Sequence, residues 1–295
     1  MRIARFRTGG GAVYAGRVEG EVVVPKLPGD GHAGRWAAID LAMASKPIEG
    51  MAPIPLADVR LLAPVPQPGA IRDFYAFESH VATARRARGL DMDPDWYELP
   101  VFYFSNPHTM FGPDDPIPSP RTSDAVDYEL EVAALVGRDC SDVTAEEAAQ
   151  AIAGYTIFND WSARDLQRRE MAQGLGPAKG KDFASSSGPW LVTPDELPGG
   201  AAGRPEGAMV ARVNGEEWSR DDMRNAHWSF AEMLAYASRD SVVRRGDLIG
   251  SGTCGTGCIL ELAAVHGPQR HPWLRTGDTV ELEVERIGVL RNTVA

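Results

Sequence analysis

Short strand-like segments recur along the chain without regular alternation with helices, and this pattern limits the folds that the chain can adopt. Each segment is apolar or alternating in polarity and is bounded by turn-forming residues. The clearest examples are RIARFR, VYAGRV, EVVVP, GYTIFND and the closing TGDTVELEVERIGVLRNTV, which holds a turn and two strands. A doubly wound parallel sheet needs repeated strand–helix alternation. The sequence therefore predicts a β-rich α+β fold with a mixed sheet.

A proline-rich stretch divides the chain into two parts. LLAPVPQPGA carries Pro64, Pro66 and Pro68 and is typical of a stiff connector. We therefore predict a small β-rich N-terminal domain over residues 1–63, with one short helix in RWAAIDLAMA, and a main domain over residues 64–295. The 295 residues, 43% of them hydrophobic, can bury an ample core.

Local signals predict the few helices. Capping-box patterns at Thr144 with Glu147 and at Ser229 with Glu232 each predict a helix start. Ser162 and Asp165 mark another start after FND, whereas CILEL, after GSGTCG, resembles a strand. DFYAFESHVATARRAR has helical spacing, and we expect Asp73 and His80 to lie on one face of that helix.

Composition excludes several classes of partner. With 30 Lys and Arg against 41 Asp and Glu, the net charge of −11 argues against nucleic acid or an acidic membrane surface. The longest apolar runs fall short of the roughly 20 residues that span a bilayer, and the opening segment lacks a signal-peptide core. Cys140, Cys254 and Cys258 lack disulfide or zinc spacing and fit packing roles in a reducing compartment. We expect a cytoplasmic protein.

The segment VDYELEVAALVG aligns three carboxylates on one face of a strand, namely Asp127, Glu129 and Glu131. One interpretation is the solvated face of a half-buried strand. The other is a carboxylate cluster whose repulsion is relieved by a cation. The stretch alone favours the solvated face, and the remainder of the chain has to decide.

Two glycine-rich loops imitate nucleotide-binding motifs. GSGTCG matches a dinucleotide fingerprint, but the segment CILEL after it resembles a strand where the fingerprint requires a helix, and we expect no surrounding βαβ unit. GPAKGKD has Asp182 where a phosphate loop has Ser or Thr, and Ser251 is not in a nucleophile elbow. Such loops more often shape a pocket or a turn.

Other polar residues have a structural and a functional interpretation. Asp160 ends an apolar strand and is either a helix N-cap or a ligand or acid–base group, and His80 is either a structural or a catalytic histidine. Two basic clusters are either solvated helix faces or counter-charge for a small anionic substrate. They comprise Arg85, Arg86 and Arg88, and Arg164, Arg168 and Arg169.

Together, these segments resemble the fumarylacetoacetate hydrolase family over nearly all of residues 64–295. The most specific match is NDWSARDLQ followed by LGPAKGKDF and SGPWLVTP, in the family's order and spacing. The resemblance implies a mixed β-sheet or β-roll catalytic domain of the family's C-terminal type. It also implies a metal site whose ligands are Asp73, Glu129, Glu131 and Asp160. Four carboxylates without His or Cys suit Mg2+, Ca2+ or Mn2+.

The same resemblance assigns roles to further residues. His80 would be the general base and Glu261 the residue that orients it, with Lys181, Arg164 and Gln167 completing the catalytic set. Substrate contacts would fall on Tyr75, Tyr103 and Thr253, and on Arg88, because Gly89 stands where the animal enzyme has an arginine. Asp127 is not a ligand in the family pattern, so the solvated interpretation is kept for it.

The implied activity is hydrolysis of a carbon–carbon bond in a ketonic substrate, a small anionic 1,3-diketo acid resembling fumarylacetoacetate. The alternatives are an acylpyruvate or 2,4-diketo-acid hydrolase of aromatic or sugar-acid catabolism, a dehydratase or decarboxylase on the same scaffold, and a non-catalytic metal-binding protein. The resemblance also implies a homodimer.

Overall fold

A computed structural model describes residues 1–28 and 48–295. The strands of this part of the chain are numbered in order. They are β1 (Arg2–Thr8), β2 (Val13–Glu19), β3 (Val22–Pro28), β4 (Ile54–Pro55), β5 (Val59–Leu62), β6 (Ile71–Phe74), β7 (Phe102–Ser105), β8 (Met110–Phe111), β9 (Pro116–Ile117), β10 (Val126–Asp127), β11 (Leu130–Val136), β12 (Ile152–Asp160), β13 (Ser162–Ala163), β14 (Ser185–Val192), β15 (Ala208–Val213), β16 (Glu216–Asp222), β17 (Leu248–Gly250), β18 (Thr279–Val284) and β19 (Gly288–Val294).

The α-helices of the described residues are short and widely separated along the chain. They are α1 (Glu78–Arg86), α2 (Ala145–Ala149), α3 (Arg164–Met171), α4 (Phe230–Ser238) and α5 (Ile259–His266). Strands thus outnumber helices, and the predicted β-rich α+β class is confirmed.

The largest sheet contains strands from both sides of the predicted domain boundary. Its main path runs β4-β3-β2-β1-β14-β12-β11-β17-β6-β7, with β5 paired to β1 and β8 to β14. Most pairs are antiparallel, but β17 runs parallel to β6, so the sheet is mixed as predicted. Because β1 pairs with β14, the N-terminal strands continue the main sheet. The division between residues 63 and 64 stays a prediction.

A second sheet closes the main hydrophobic core. Its order is β16-β15-β18-β19-β9, and a separate two-stranded ladder joins β10 to β13. Side chains on one face of β11, including Leu130 and Val132, enter the same buried cluster as Leu282 of the second sheet. Side chains on the opposite face, Ala133 and Leu135, pack in another buried cluster. Both faces of β11 are therefore covered, and the strand has no solvated face.

Local helix signals were predictive where the capping residues are neighbours in sequence. Both capping boxes form, at Thr144 with Glu147 and at Ser229 with Glu232. The start predicted at Ser162 is wrong, because Ser162 pairs with Asp127 in the β10–β13 ladder and its backbone is extended. The helix begins at Arg164 without a side-chain cap.

Two further predictions are wrong, and a third lies outside the described residues. CILEL begins α5 and is not a strand; a short apolar run does not distinguish a buried strand from a buried helix. Asp73 and His80 do not share a helix, because Asp73 lies in β6 and α1 begins only at Glu78. The helix predicted in RWAAIDLAMA lies outside the described residues. Within residues 1–28 and 48–295, no helix is both long and apolar enough to cross a membrane.

Candidate active site

The large sheet brings four carboxylates together from β12, from the neighbouring β11 and from β6, which β17 separates from β11. Asp73 lies in β6, Glu131 in β11 and Asp160 at the end of β12, while Glu129 immediately precedes β11. The sheet register aligns Asp73 with Gly250 of β17, and Gly250 with Ala133 of β11. Oxygens of Asp73, Glu129 and Glu131 lie within 4.8 Å of one another. We call the four side chains the carboxylate cluster.

Gly250 leaves the space that Asp73 occupies. A Cβ atom at this position would lie 2.3 Å from Asp73 Oδ1, closer than non-bonded atoms approach. The backbone N–H of Gly252 donates to the same oxygen over 3.2 Å. The GSGTCG loop therefore shapes the acidic pocket, as expected of a glycine-rich loop that carries no nucleotide.

Two side chains bridge the cluster. Lys181 Nζ lies 2.8 Å from Asp160 Oδ2 and also donates to Glu129 Oε2. Tyr103 Oη donates to Asp73 Oδ2 over 2.9 Å and contacts Asp160 Oδ2 as well. All four carboxyl groups are buried and only Lys181 and Arg164 form ion pairs with them among the described residues, which leaves an excess of negative charge if all four ionise.

The pKa values of the four carboxyl groups in the cluster are shifted in different directions. Burial, and then repulsion from Asp160, raises the pKa of Asp73 to about 7. Burial together with the Asp73 and Glu129 charges raises the pKa of Glu131 well above its usual range. Burial also raises the pKa of Asp160, although Lys181 opposes this. Burial opposes ionisation of Glu129 as well, but Lys181 and Arg164 outweigh it and lower its pKa.

The carboxylate cluster fits a divalent cation. Among the described residues, Glu131 Oε2 and Asp160 Oδ1 are buried and have no hydrogen-bond partner. A buried carboxylate oxygen without a donor is costly, and a cation relieves both this cost and the mutual repulsion. The donor set consists of oxygens only, which suits Mg2+, Ca2+ or Mn2+ better than a thiophilic metal.

A histidine–carboxylate pair lies beside the cluster. His80 in α1 and Glu261 in α5 are both buried, and His80 Nδ1 lies 2.7 Å from Glu261 Oε2. This contact fixes Nδ1–H as the donor and leaves Nε2 as the acceptor of the neutral ring. A positive charge on His80 would lower the pKa of Glu129, so the pair is within electrostatic reach of the carboxylate cluster.

Arg164 and Gln167 occupy the first turn of α3. Arg164 is buried and donates through Nη2 to Glu129 Oε1 over 2.8 Å and through Nη1 to Gln167 Oε1 over 3.0 Å. Because its oxygen is engaged, the Gln167 amide is oriented with its NH2 group free to donate elsewhere. Arg168 and Arg169, in contrast, are exposed on the same helix.

The expected substrate-contact residues have different environments. Tyr75 is partly buried, its ring packs edge-on against His80 at 5.4 Å, and burial raises its pKa to about 12. Thr253 is buried, and its Oγ1 lies 3.4 Å from Glu131 Oε1. Arg88 is exposed, and its Nε donates to Ala84 O over 3.2 Å.

The solvated interpretation of Asp127 is wrong. Its exposure is 0%, and it accepts hydrogen bonds from Arg164 Nε and from the backbone N–H groups of Ile259 and Leu260. The alternating pattern does not reveal this role, because the partners lie 37 and more than 130 residues away. All three carboxylates of the VDYELEVAALVG segment are buried.

Glu170 is a further residue that the sequence did not single out. Its carboxylate accepts the consecutive backbone N–H groups of Ala178, Lys179 and Gly180, immediately before Lys181. These N–H groups belong to the GPAKGKD loop, so a protein carboxylate fills the place that a phosphate would take. The three cysteines are buried and free, as predicted.

The chain is similar to known proteins in both sequence and fold. Residues 69–295 match the family model described as fumarylacetoacetate (FAA) hydrolase C-terminal, and residues 1–64 match one described as Rv2993c-like, N-terminal. A 2,4-didehydro-3-deoxy-L-rhamnonate hydrolase from a Sphingomonas species is 31% identical over 198 residues, covering 66% of this chain and 65% of the relative.

Two solved structures superpose on the whole chain. A 5-carboxymethyl-2-hydroxymuconate delta-isomerase from Mycobacterium smegmatis has 29% identity and a TM-score of 0.73, covering 100% of this chain and 99% of its own. A fumarylacetoacetate hydrolase from Exiguobacterium antarcticum has 25% identity and a TM-score of 0.77 with the same coverage.

Proposed function

The chain belongs to the fumarylacetoacetate hydrolase family, and from this premise we propose that it is a metal-dependent hydrolase of a small 1,3-diketo acid. The proposed reaction adds water to one ketone, breaks the adjacent carbon–carbon bond and releases a carboxylic acid and a keto acid. The observation that carries the proposal is the 2.7 Å contact between His80 and Glu261 beside the carboxylate cluster.

Asp73, Glu129, Glu131 and Asp160 would hold one Mg2+, Ca2+ or Mn2+ ion. When bound, this ion would supply Lewis-acid polarisation of the diketo group. Lys181 already neutralises part of the carboxylate cluster. Burial lowers the pKa of Lys181, but Asp160 and Glu129 outweigh this effect and raise it overall. Lys181 is therefore an ammonium group at neutral pH and can donate a proton to the carbanion that leaves.

His80 removes a proton from the attacking water through Nε2, while Glu261 fixes the tautomer and stabilises the imidazolium that forms. The water oxygen bonds to the ketone carbon, and the electron pair of the broken carbon–carbon bond is protonated on the leaving group. The NH2 group of Gln167 and the remaining N–H groups of Arg164 are available to donate to the oxyanion; such donors are worth about 3–4 kcal/mol in other enzymes.

A substrate panel tests the proposal. The protein, with Mg2+ bound and confirmed, is incubated with fumarylacetoacetate, fumarylpyruvate, acetylpyruvate and oxaloacetate, and the loss of enol absorbance and the products are followed. We expect cleavage of at least one diketo acid into two acids. Lack of turnover of every diketo acid would favour a metal-binding protein without this activity.

A second candidate is a 2,4-diketo-acid or acylpyruvate hydrolase, favoured by the named activity of the Sphingomonas relative. It would use the same residues and release pyruvate or a related keto acid from an aromatic or sugar-acid intermediate. Pyruvate together with a carboxylic acid from fumarylpyruvate or acetylpyruvate identifies this candidate, whereas a product isomeric with its substrate would indicate an isomerase like the named mycobacterial neighbour. The homodimer stays a prediction.

A further inference from the structure

Asp127 is buried at the junction of two parts of the site. Its Oδ2 accepts from Arg164 Nε over 2.7 Å and from Leu260 N over 3.0 Å, and its Oδ1 accepts from Ile259 N over 2.7 Å. The register of the β10–β13 ladder, in which Asp127 pairs with Ser162, fixes its backbone. Three donors from two separate elements thus converge on one carboxylate.

One of these elements is α5, the helix that carries Glu261. Cys258, at its N-cap position, makes no side-chain capping hydrogen bond. Asp127 binds the first two N–H groups of the helix instead and places a negative charge at its positive end. The next residue along the helix is Glu261, so the carboxylate that caps α5 also sets the height and rotation of the residue that bonds His80.

The other element is α3. The bond from Arg164 Nε to Asp127 fixes one edge of the planar guanidinium group. The remaining edge then faces Glu129 and Gln167, over 2.8 and 3.0 Å. Asp127 therefore orients the cation that contacts the carboxylate cluster.

We propose that Asp127 is a positioning residue that couples the His80–Glu261 pair to Arg164 and the carboxylate cluster. It contacts neither reacting atoms nor the proposed ion ligands' free oxygens, and acts only through Glu261 and Arg164. The catalytic part of this inference rests on the proposed function, whereas the geometric part does not.

The geometric part is tested by proton NMR of the Asp127→Asn protein. The His80 Nδ1–H proton, hydrogen-bonded to a buried carboxylate, gives a slowly exchanging low-field imidazole resonance, which is assigned by its loss in His80→Gln. We expect this resonance to move upfield or broaden in Asp127→Asn, in the same direction as in Glu261→Gln. An amide at position 127 presents its NH2 group to donors and cannot accept all three.

Asp247→Asn is the matched control. Asp247 is also buried, accepts from Arg72 Nη1 over 2.7 Å and accepts from a backbone N–H, that of Arg244, over 3.0 Å. Each variant replaces a buried carboxylate that pairs with an arginine by a neutral amide, so both should lower the melting temperature. We expect only Asp127→Asn to shift the His80 resonance.

Kinetics on a substrate identified by the panel test the catalytic part. Asp127→Asn should lower kcat by about 10- to 100-fold, the usual effect of losing a partner behind a functional side chain, with a smaller change in KM. In the Glu261→Gln background, Asp127→Asn should lower kcat by a clearly smaller factor. If Asp127 acts through Glu261, its effect on kcat is largely absent once Glu261 has been replaced. Asp247→Asn should leave kcat unchanged.

The outcomes separate this inference from the proposed function. If no substrate is found, the NMR comparison still decides the positioning role. A folded Asp127→Asn protein with the wild-type His80 resonance, or with full additivity to Glu261→Gln, overturns the proposal. If Asp127→Asn does not fold, Asp127→Ser, which keeps one acceptor in a smaller volume, is measured in the same way and against the same control.

Discussion

The carboxylate cluster and the His80–Glu261 pair are adjacent, but the chain holds them in different ways. Asp73, Glu131 and Asp160 lie in strands paired with neighbours on both sides, so backbone ladders fix their positions. His80 and Glu261 lie on helices of nine and eight residues. A strand position in the middle of a sheet is determined by many hydrogen bonds at once, whereas a short helix depends on its caps and its packing.

The two helices of the pair differ also from the helices outside the site. α2 and α4 have capping boxes formed by residues three apart in sequence. Neither α1 nor α5 has a side-chain cap from its own N-cap residue. α5 receives a carboxylate from Asp127, and Glu78 at the start of α1 accepts from Tyr97 Oη over 2.7 Å. The His80–Glu261 pair therefore depends on tertiary contacts, and the carboxylate cluster depends on the sheet.

The largest expected effect comes from removing a ligand on a strand. Asp160→Ala should abolish binding of the divalent ion and with it turnover, because it removes one proposed ligand oxygen and one of the two carboxylate partners of both Lys181 and Tyr103. Binding of Mg2+, Ca2+ and Mn2+ is measured by calorimetry, with Asp160→Asn as the variant of equal size. Metal affinity equal to that of the wild type in Asp160→Ala would remove Asp160 from the ligand set.

The next largest effect separates the pair from the cluster. His80→Ala should retain metal binding and lose about 100- to 10,000-fold in kcat, the range that a general base contributes. Glu261→Ala should follow the same pattern, and the double variant should lose little more than either single variant. Near-normal turnover of His80→Ala would exclude the proposed base.

A pH series tests whether the cluster is the metal site. Because the metal-free protein holds the pKa of Asp73 at about 7, a proton must leave before the ion binds below that pH. Affinity should therefore rise with pH, about tenfold per pH unit for each proton released, and Glu131, whose pKa is also raised, adds to this dependence. Calorimetry in buffers of different ionisation enthalpy counts the protons, and an affinity independent of pH between 5 and 7 contradicts this expectation.

The raised pKa of Asp73 also makes the stability of the metal-free protein depend on pH in a defined direction. A carboxyl group with a raised folded-state pKa binds its proton more tightly when folded. The contribution of Asp73 to the metal-free fold is thus fully present below the ordinary value of 3.8 and is lost as the pH rises to about 7. Mg2+ should protect the protein against thermal unfolding most strongly above this range.

The smallest expected effect concerns the loop that carries Lys181. Glu170→Gln weakens three charge-assisted hydrogen bonds to Ala178, Lys179 and Gly180 at a partly exposed site, and should lower the free energy of unfolding by about 1–2 kcal/mol. Metal affinity should not change, because the cluster is held by the sheet. A loss of metal binding in this variant would show that the loop, too, supports the cluster.

Much of the fold follows from local sequence patterns. The N-terminal strands, the closing pair of strands and both capping boxes lie where turn residues, alternation and three-residue capping patterns predict them. These signals come from neighbours in the chain and need no tertiary partner. The short run CILEL was mispredicted because apolar residues alone fit a buried strand and a buried helix equally well.

The candidate site, too, could be predicted from the sequence only in part. The residue types and the family resemblance identify Asp73, Glu129, Glu131, Asp160, His80 and Glu261, but not the arrangement that joins them. His80 and Glu261 are 181 residues apart, and Asp73 reaches Glu131 only because β6 pairs in parallel with β17, the strand between β6 and β11. Asp127 is the clearest case: its pattern indicated a solvated face, and its burial became evident only once α5 and Arg164 were in place.

The sequence by itself determined a β-rich α+β fold and the set of acidic and basic side chains available for chemistry, because periodicity and residue type are local properties. Only the tertiary structure decided which carboxylates remain short of hydrogen-bond donors and which are satisfied by the protein. Glu131 and Asp160 keep buried oxygens without a partner, whereas Asp127 has all its donors. That difference arises from partners that chain folding brings together, and it separates the candidate ligands Glu131 and Asp160 from Asp127.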